Sequence, residues 1–141
     1  MKTPADREAL REGLANGLID TIGSDHAPHL ASEKEGNYTK DPSGLPSIQQ
    51  SLPVLLTIAY SDGIPLTRIA SVFSENASDL YGLDRGKIKR GYAADLVIFD
   101  YSKEFIVKKE DQLSKCGWTP YEGETLRGVI ETVFIDGKPV G

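Results

Sequence analysis

One short run constrains this chain more than any other. Leu18-Ile19-Asp20-Thr21-Ile22 alternates and is mostly apolar, and it ends in the small step Gly23-Ser24. The pattern predicts a buried β-strand. The first 86 residues offer no parallel partner for it. One strand flanked by helices cannot cover both of its faces or satisfy its edges. A closed eight-unit α/β barrel takes more than about 200 residues, and this chain has 141. The sequence therefore reads as the end of something longer.

Directly after the run come Asp25-His26-Ala27-Pro28-His29, which contain both histidines of the chain. In α/β enzymes the loops past the carboxyl ends of strands converge on a shared mouth, where chemistry is placed. Pro28 lacks a backbone donor and biases Ala27 toward an extended conformation, which would fix where His29 points. The same residues also fit a strand followed by a plain polar turn, since Asp and Pro are common in turns.

The rest of the chain falls into two parts. Thr3-Pro4-Ala5-Asp6 has the marks of a helix start, and Asn16-Gly17 of its end. Residues 30 to 46 are polar and read as a loop, either functional or simply solvated. Ser47 is placed to cap a helix reaching about Tyr60, with Pro53 kinking it or delaying its start. Further helices are expected from Pro65 and across Glu75 to Tyr81. After Gly86 the character changes. Strands are expected at residues 94 to 100, at residues 104 to 107 and at residues 127 to 135. A helical turn is expected between Lys109 and Leu113. Asp136-Gly137 is a two-residue hairpin signal. The expected division is residues 1–86 and residues 87–141.

Composition excludes several classes. A net charge of −5 argues against a general affinity for nucleic acid. The basic turn Lys87 to Arg90 lacks interleaved aromatics and reads as a solvated face. No apolar run approaches the twenty residues of a membrane span. Cys116 is alone, so neither an internal disulfide nor a multi-cysteine zinc site is available. A cytoplasmic setting is expected.

Three motifs together resemble the carboxyl-terminal third of the cyclic amidohydrolases, the dihydroorotase, allantoinase and dihydropyrimidinase group. Asp20 to His29, with Glu33-Lys34, resembles the segment at that family's last barrel strand. Glu75 to Leu83, with Gly86-Lys87-Ile88 and Gly91 to Asp100, is similar to its passage from the barrel into a small β domain. Lys115 to Gly123, with Val133 to Lys138, resembles a tail of one bacterial type of dihydroorotase. The resemblance covers essentially the whole chain. Ser24 departs from the pattern, and Gly44 to Leu52 is also similar to allantoinases.

The resemblance implies an α/β fold, the C-terminal part of a (β/α)8 TIM barrel followed by strands of a small β-sandwich domain. Residues 1–86 would be the last part of the barrel, and residues 87–141 part of the small domain. It implies a zinc-dependent hydrolase of cyclic amides with one or two Zn2+ ions. The favoured activity is dihydroorotase, the reversible interconversion of dihydroorotate and N-carbamoyl-L-aspartate in pyrimidine biosynthesis. The alternatives are an allantoinase, a dihydropyrimidinase or hydantoinase, and a non-catalytic assembly partner.

Asp25 matches the aspartate that touches the metal and moves the proton of the bridging water. His29 matches a residue that holds the substrate's carboxylate. The backbone at Ser43 and Gly44 matches a loop that contacts the ring, and His26 is expected to support the loop. The family's other ligands, a His-x-His pair, a modified lysine and two more histidines, have no match here. The chain by itself is therefore expected neither to bind zinc tightly nor to turn over substrate, and to self-associate. The full-length protein is expected to act on a small cyclic amide as a homo-oligomer, a dimer or a tetramer.

Overall fold

A computed structural model describes residues 3–37 and 39–140. Met1, Lys2 and Gly141, at the ends of the two expected parts, and Tyr38 in the polar stretch lie outside the described residues. Helix α1 spans Pro4–Asn16. The Asp6 amide donates to Thr3 Oγ1 at 3.2 Å, and the Thr3 amide donates to Asp6 Oδ2 at 2.8 Å. This reciprocal pair satisfies two amides that a helix start otherwise leaves open. Gly17 ends the helix at φ 85°, a left-handed conformation that glycine adopts without a Cβ clash.

Residues 18–22 do not form a strand, contrary to the alternating pattern. The only regular trace nearby is an isolated parallel bridge between His26 and Leu45 among the described residues. The reason is pairing rather than propensity. A strand exists only against a neighbour, and among the described residues none pairs with residues 18–22. Leu18 is 81% exposed. Ile19 and Ile22 line an open apolar groove of about 470 Å³ with Leu10, Leu14 and Leu55. Three long-range bonds reach the stretch, one of them from Asn76 Nδ2 to the Asp20 carbonyl at 2.8 Å. The Ile22 amide donates to the Val72 carbonyl at 3.0 Å, and Arg68 donates to the Ile19 carbonyl at 2.5 Å.

Helix α2, Ser51–Asp62, follows a 3₁₀ turn at Ile48–Gln50. Pro53 therefore falls in its first turn, where its missing N–H costs nothing. Ser47 does not cap it; its hydroxyl donates instead to the Ser24 carbonyl at 2.7 Å. Helix α3, Leu66–Ala70, runs through a π turn at Ser71–Glu75 into α4, Asn76–Tyr81. The two expected helices are thus one continuous rod. No helix among the described residues is long and apolar enough to cross a membrane.

The last part is a three-stranded antiparallel sheet in the order β1-β2-β3, with β1 at Leu96–Ile106, β2 at Thr125–Ile135 and β3 at Lys138–Val140. The two strands expected at 94–100 and 104–107 are one, because the polar step between them is absorbed as a bulge against β2. There the Ser102 amide and hydroxyl both donate to Asp100 Oδ1. Between β1 and β2 a 3₁₀ turn at Lys109–Asp111 meets the expected helical turn. Asp136 and Gly137 both have positive φ, 49° and 76°, as a two-residue type I′ hairpin requires.

The sheet packs on α2. Leu55, Leu56 and Ala59 share a core with Leu14, Ile69 and Val72, and Phe99 and Tyr101 of β1 pack against it. Thr57 Oγ1 donates to the Pro53 carbonyl and accepts from the Arg127 amide of β2 at 2.8 Å. Gly128 makes this approach possible. Its φ is 91°, and a Cβ there would lie 2.3 Å from Leu56 Cδ1. Gly128→Ala adds left-handed strain to overpacking, so it is expected to destabilise the protein by about 2–5 kcal/mol. Urea unfolding of the two forms checks this; an unchanged midpoint would mean that β2 can retreat from α2.

Candidate functional site

Asp25 has a positive φ of 45°, one of two non-glycine residues among those described that do so. The other, Asp136, serves the hairpin. Aspartate tolerates this region better than most residues, but still at a cost. A strained backbone in a polar loop is the kind of outlier that directs attention to function. The turn leaves the Asp25 carboxylate exposed, with no hydrogen bond or ion pair among the described residues.

The two histidines have different tasks. His26 Nδ1 accepts from the amides of Ser47 and Ile48 at 3.1 and 3.3 Å. These bonds place the His26 proton on Nε2 and commit its other nitrogen to the start of the Ile48–Gln50 turn. That is the supporting role expected of it. The His29 side chain is 36% exposed, and its Nδ1 stands 3.8 Å from Glu33 Oε2, too far for a hydrogen bond. Glu33 instead accepts from the Leu30 amide at 2.7 Å. The His29 ring thus makes no hydrogen bond among the described residues and has the Glu33 carboxylate beside it.

Ser43 and Gly44 reach the same loop. The Ala27 amide donates to the Leu45 carbonyl at 3.0 Å. Gly44, at φ 114°, lies so close that a Cβ there would sit 2.4 Å from Ala27 Cβ. Only glycine allows these two backbones to meet in this way. The fold therefore brings the 25–29 turn and the 43–45 segment together.

Sequence reasoning missed a third participant. The Trp118 indole Nε1 donates to the His29 carbonyl at 2.7 Å across 89 positions of chain. Lys34 Nζ lies 5.6 Å from the centre of the Trp118 ring and donates to the Pro42 carbonyl at 2.8 Å. In the sequence Trp118 belongs to the tail motif Lys115 to Gly123, and nothing local announces its partner.

Among the described residues no group of three or more His, Cys, Asp or Glu side chains is placed to hold a metal ion. Asp25 is an open carboxylate, but His26 Nδ1 is committed to backbone amides. A catalytic zinc site takes three protein ligands. The described side chains do not by themselves fit one.

Residues 1–140 match the amidohydrolase family. The chain is 40% identical over 124 residues to dihydroorotase of Halobacterium salinarum, covering 87% of this chain and 29% of that protein. It is 38% identical over 140 residues to dihydroorotase of Aquifex aeolicus, covering 99% and 33%. Among solved structures it is similar to L-hydantoinase (dihydropyrimidinase) from Arthrobacter aurescens, with a TM-score of 0.92, 30% identity and coverage of 99% of this chain and 32% of that one. Dihydropyrimidinase from Brevibacillus agri gives a TM-score of 0.93 at 28% identity, over 99% and 32%.

The chain thus spans between 29% and 33% of the length of these relatives. Its fold is the α/β fold of those enzymes, part of a (β/α)8 barrel joined to a small antiparallel sheet. Sequence and fold agree along almost the entire chain, and on both grounds it belongs to the amidohydrolase family.

Proposed function

We propose that the full-length protein opens the ring of a cyclic amide by hydrolysis, and that its substrate pair is dihydroorotate and N-carbamoyl-L-aspartate. The observation that carries this is the joining of an open carboxylate, Asp25, and an open imidazole, His29, on one turn against the 43–45 backbone. Relatives named dihydroorotase at 40% and 38% identity support the choice of substrate. Hydantoinase structures at 28–30% identity favour a second reading, a hydantoin or dihydropyrimidine ring.

In the forward hydrolysis, water adds to the ring amide carbonyl and the carbon–nitrogen bond breaks. The hydroxyl stays on carbon and one proton ends on the leaving nitrogen. Asp25 takes that proton from the attacking water and delivers it to the nitrogen, the work of a general base that becomes a general acid. His29 donates a hydrogen bond to the substrate's carboxylate. Backbone groups at Ser43 and Gly44 line the ring.

The zinc that the family resemblance implies would be held mainly by side chains outside these 141 residues, with Asp25 as this chain's contribution. As part of the same proposal, we put the boundary between barrel and small domain at residue 86 and take the whole protein to be a cytoplasmic homo-oligomer.

Steady-state rates of the full-length protein on dihydroorotate, N-carbamoyl-L-aspartate, allantoin and hydantoin test the substrate. The first two are expected to give the highest kcat/KM. Faster turnover of hydantoin, or of allantoin, which is a ureido-substituted hydantoin, would overturn dihydroorotate as the substrate and establish the second reading.

A further inference from the structure

The two stretches assigned to substrate, His29 and residues 43–44, lie on opposite sides of a long polar connection. A single pair of side chains ties both together. Trp118 holds the His29 carbonyl through its indole N–H at 2.7 Å. Lys34 holds the Pro42 carbonyl at 2.8 Å, and its ammonium lies over the Trp118 ring. Neither bond serves secondary structure, since His29 and Pro42 are outside every helix and strand.

The tryptophan itself is anchored. Its carbonyl accepts from Cys116 Sγ, and the next residue, Thr119, is buried with its hydroxyl accepting from the Tyr121 amide. The loop carrying them, between β1 and β2, is further fastened to the start of the 48–62 helical segment. Gln49 Nε2 donates to the Asp111 carbonyl at 2.8 Å, and the Leu113 amide donates to Gln49 Oε1 at 2.9 Å. Half-buried Trp118 is therefore a fixed post, and the polar stretch is strung from it and from Lys34 by two bonds.

We propose that Trp118 and Lys34 are positioning residues that set the distance between His29 and the Ser43–Gly44 backbone, and so the fit of the substrate's carboxylate and ring. This rests on the reading of His29 and residues 43–44 as substrate contacts. Trp118 touches no substrate; it acts through the His29 main chain. Trp118→Phe keeps an aromatic side chain and removes the indole N–H together with part of the ring, which is why Tm is read beside KM. Lys34→Met keeps the stem and removes the charge and the bond to Pro42.

The test uses the full-length enzyme with dihydroorotate. kcat, KM and Tm are measured for Trp118→Phe, Lys34→Met, His29→Ala and the Trp118→Phe/His29→Ala double variant. Loss of one neutral hydrogen bond is expected to raise KM about 2- to 10-fold in Trp118→Phe, with kcat changing less. Lys34→Met is expected to shift KM in the same direction. The double variant is expected to be no worse than His29→Ala alone, because Trp118 works through His29.

If His29→Ala raises KM and Trp118→Phe does not, the positioning role is overturned while the His29 reading stands. A lower Tm with KM unchanged, or strictly additive effects in the double variant, would equally make Trp118 a packing residue. If His29→Ala itself leaves KM unchanged, the His29 reading falls and the positioning role falls with it.

Discussion

Asp25→Asn in the full-length protein is expected to lower kcat by about 10²–10⁴-fold, the usual scale for general acid–base work. The substitution is nearly isosteric. Asparagine also tolerates the left-handed backbone that residue 25 adopts at φ 45°, so the turn should survive. The amide side chain can still donate and accept hydrogen bonds, but it cannot take the proton of the attacking water. The lost interaction belongs to the transition state, and KM should change little. If Asp25 were only a turn residue, the variant would keep its kcat and shift only its Tm. Steady-state kinetics beside thermal unfolding separates the two outcomes.

His29→Ala is the second large effect, and it should fall on a different constant. A hydrogen bond to a charged group is worth about 1.5–3 kcal/mol, which corresponds to about a 10- to 150-fold rise in KM. A smaller fall in kcat is expected if the ring of the substrate loses its alignment. Stability should hardly change. The His29 side chain makes no hydrogen bond among the described residues, and the contact that fixes residue 29 uses its main-chain carbonyl. The same substitution at His26 should behave in the opposite way. His26 Nδ1 serves two backbone amides, and removing it leaves them to find other partners.

What could be read from the sequence was whatever local chemistry decides. Thr3, Pro4 and Asp6 announce the start of α1 because its cap is made within four residues. Asp136-Gly137 announces the last hairpin because two successive positive φ values demand such residues. Leu18 to Ile22 misled for the opposite reason. Alternation reports which faces want burial, but a strand also needs a neighbour, and that is a property of the rest of the sheet.

Strand β1 misled through Asp100 to Lys103. Four residues with the composition of a turn are held in the strand by a bulge and by the Asp100–Ser102 bonds. At the candidate site, the closeness of Asp25 and His29 was legible because they are near in sequence. Gly44 was legible only through resemblance, since its closeness to Ala27 depends on how the polar connection folds back. Trp118 was not legible at all as a partner of His29; 89 residues separate them.

The most direct measurement is a crystal structure of the full-length protein with dihydroorotate or N-carbamoyl-L-aspartate bound. We expect the ligand carboxylate within about 2.7–3.2 Å of a His29 ring nitrogen, the ring or its opened chain against the backbone of Ser43 and Gly44, and Asp25 facing the scissile carbonyl. A ligand bound elsewhere, with Asp25 and His29 both turned to solvent, would contradict the assignment of this turn as the site of ring opening.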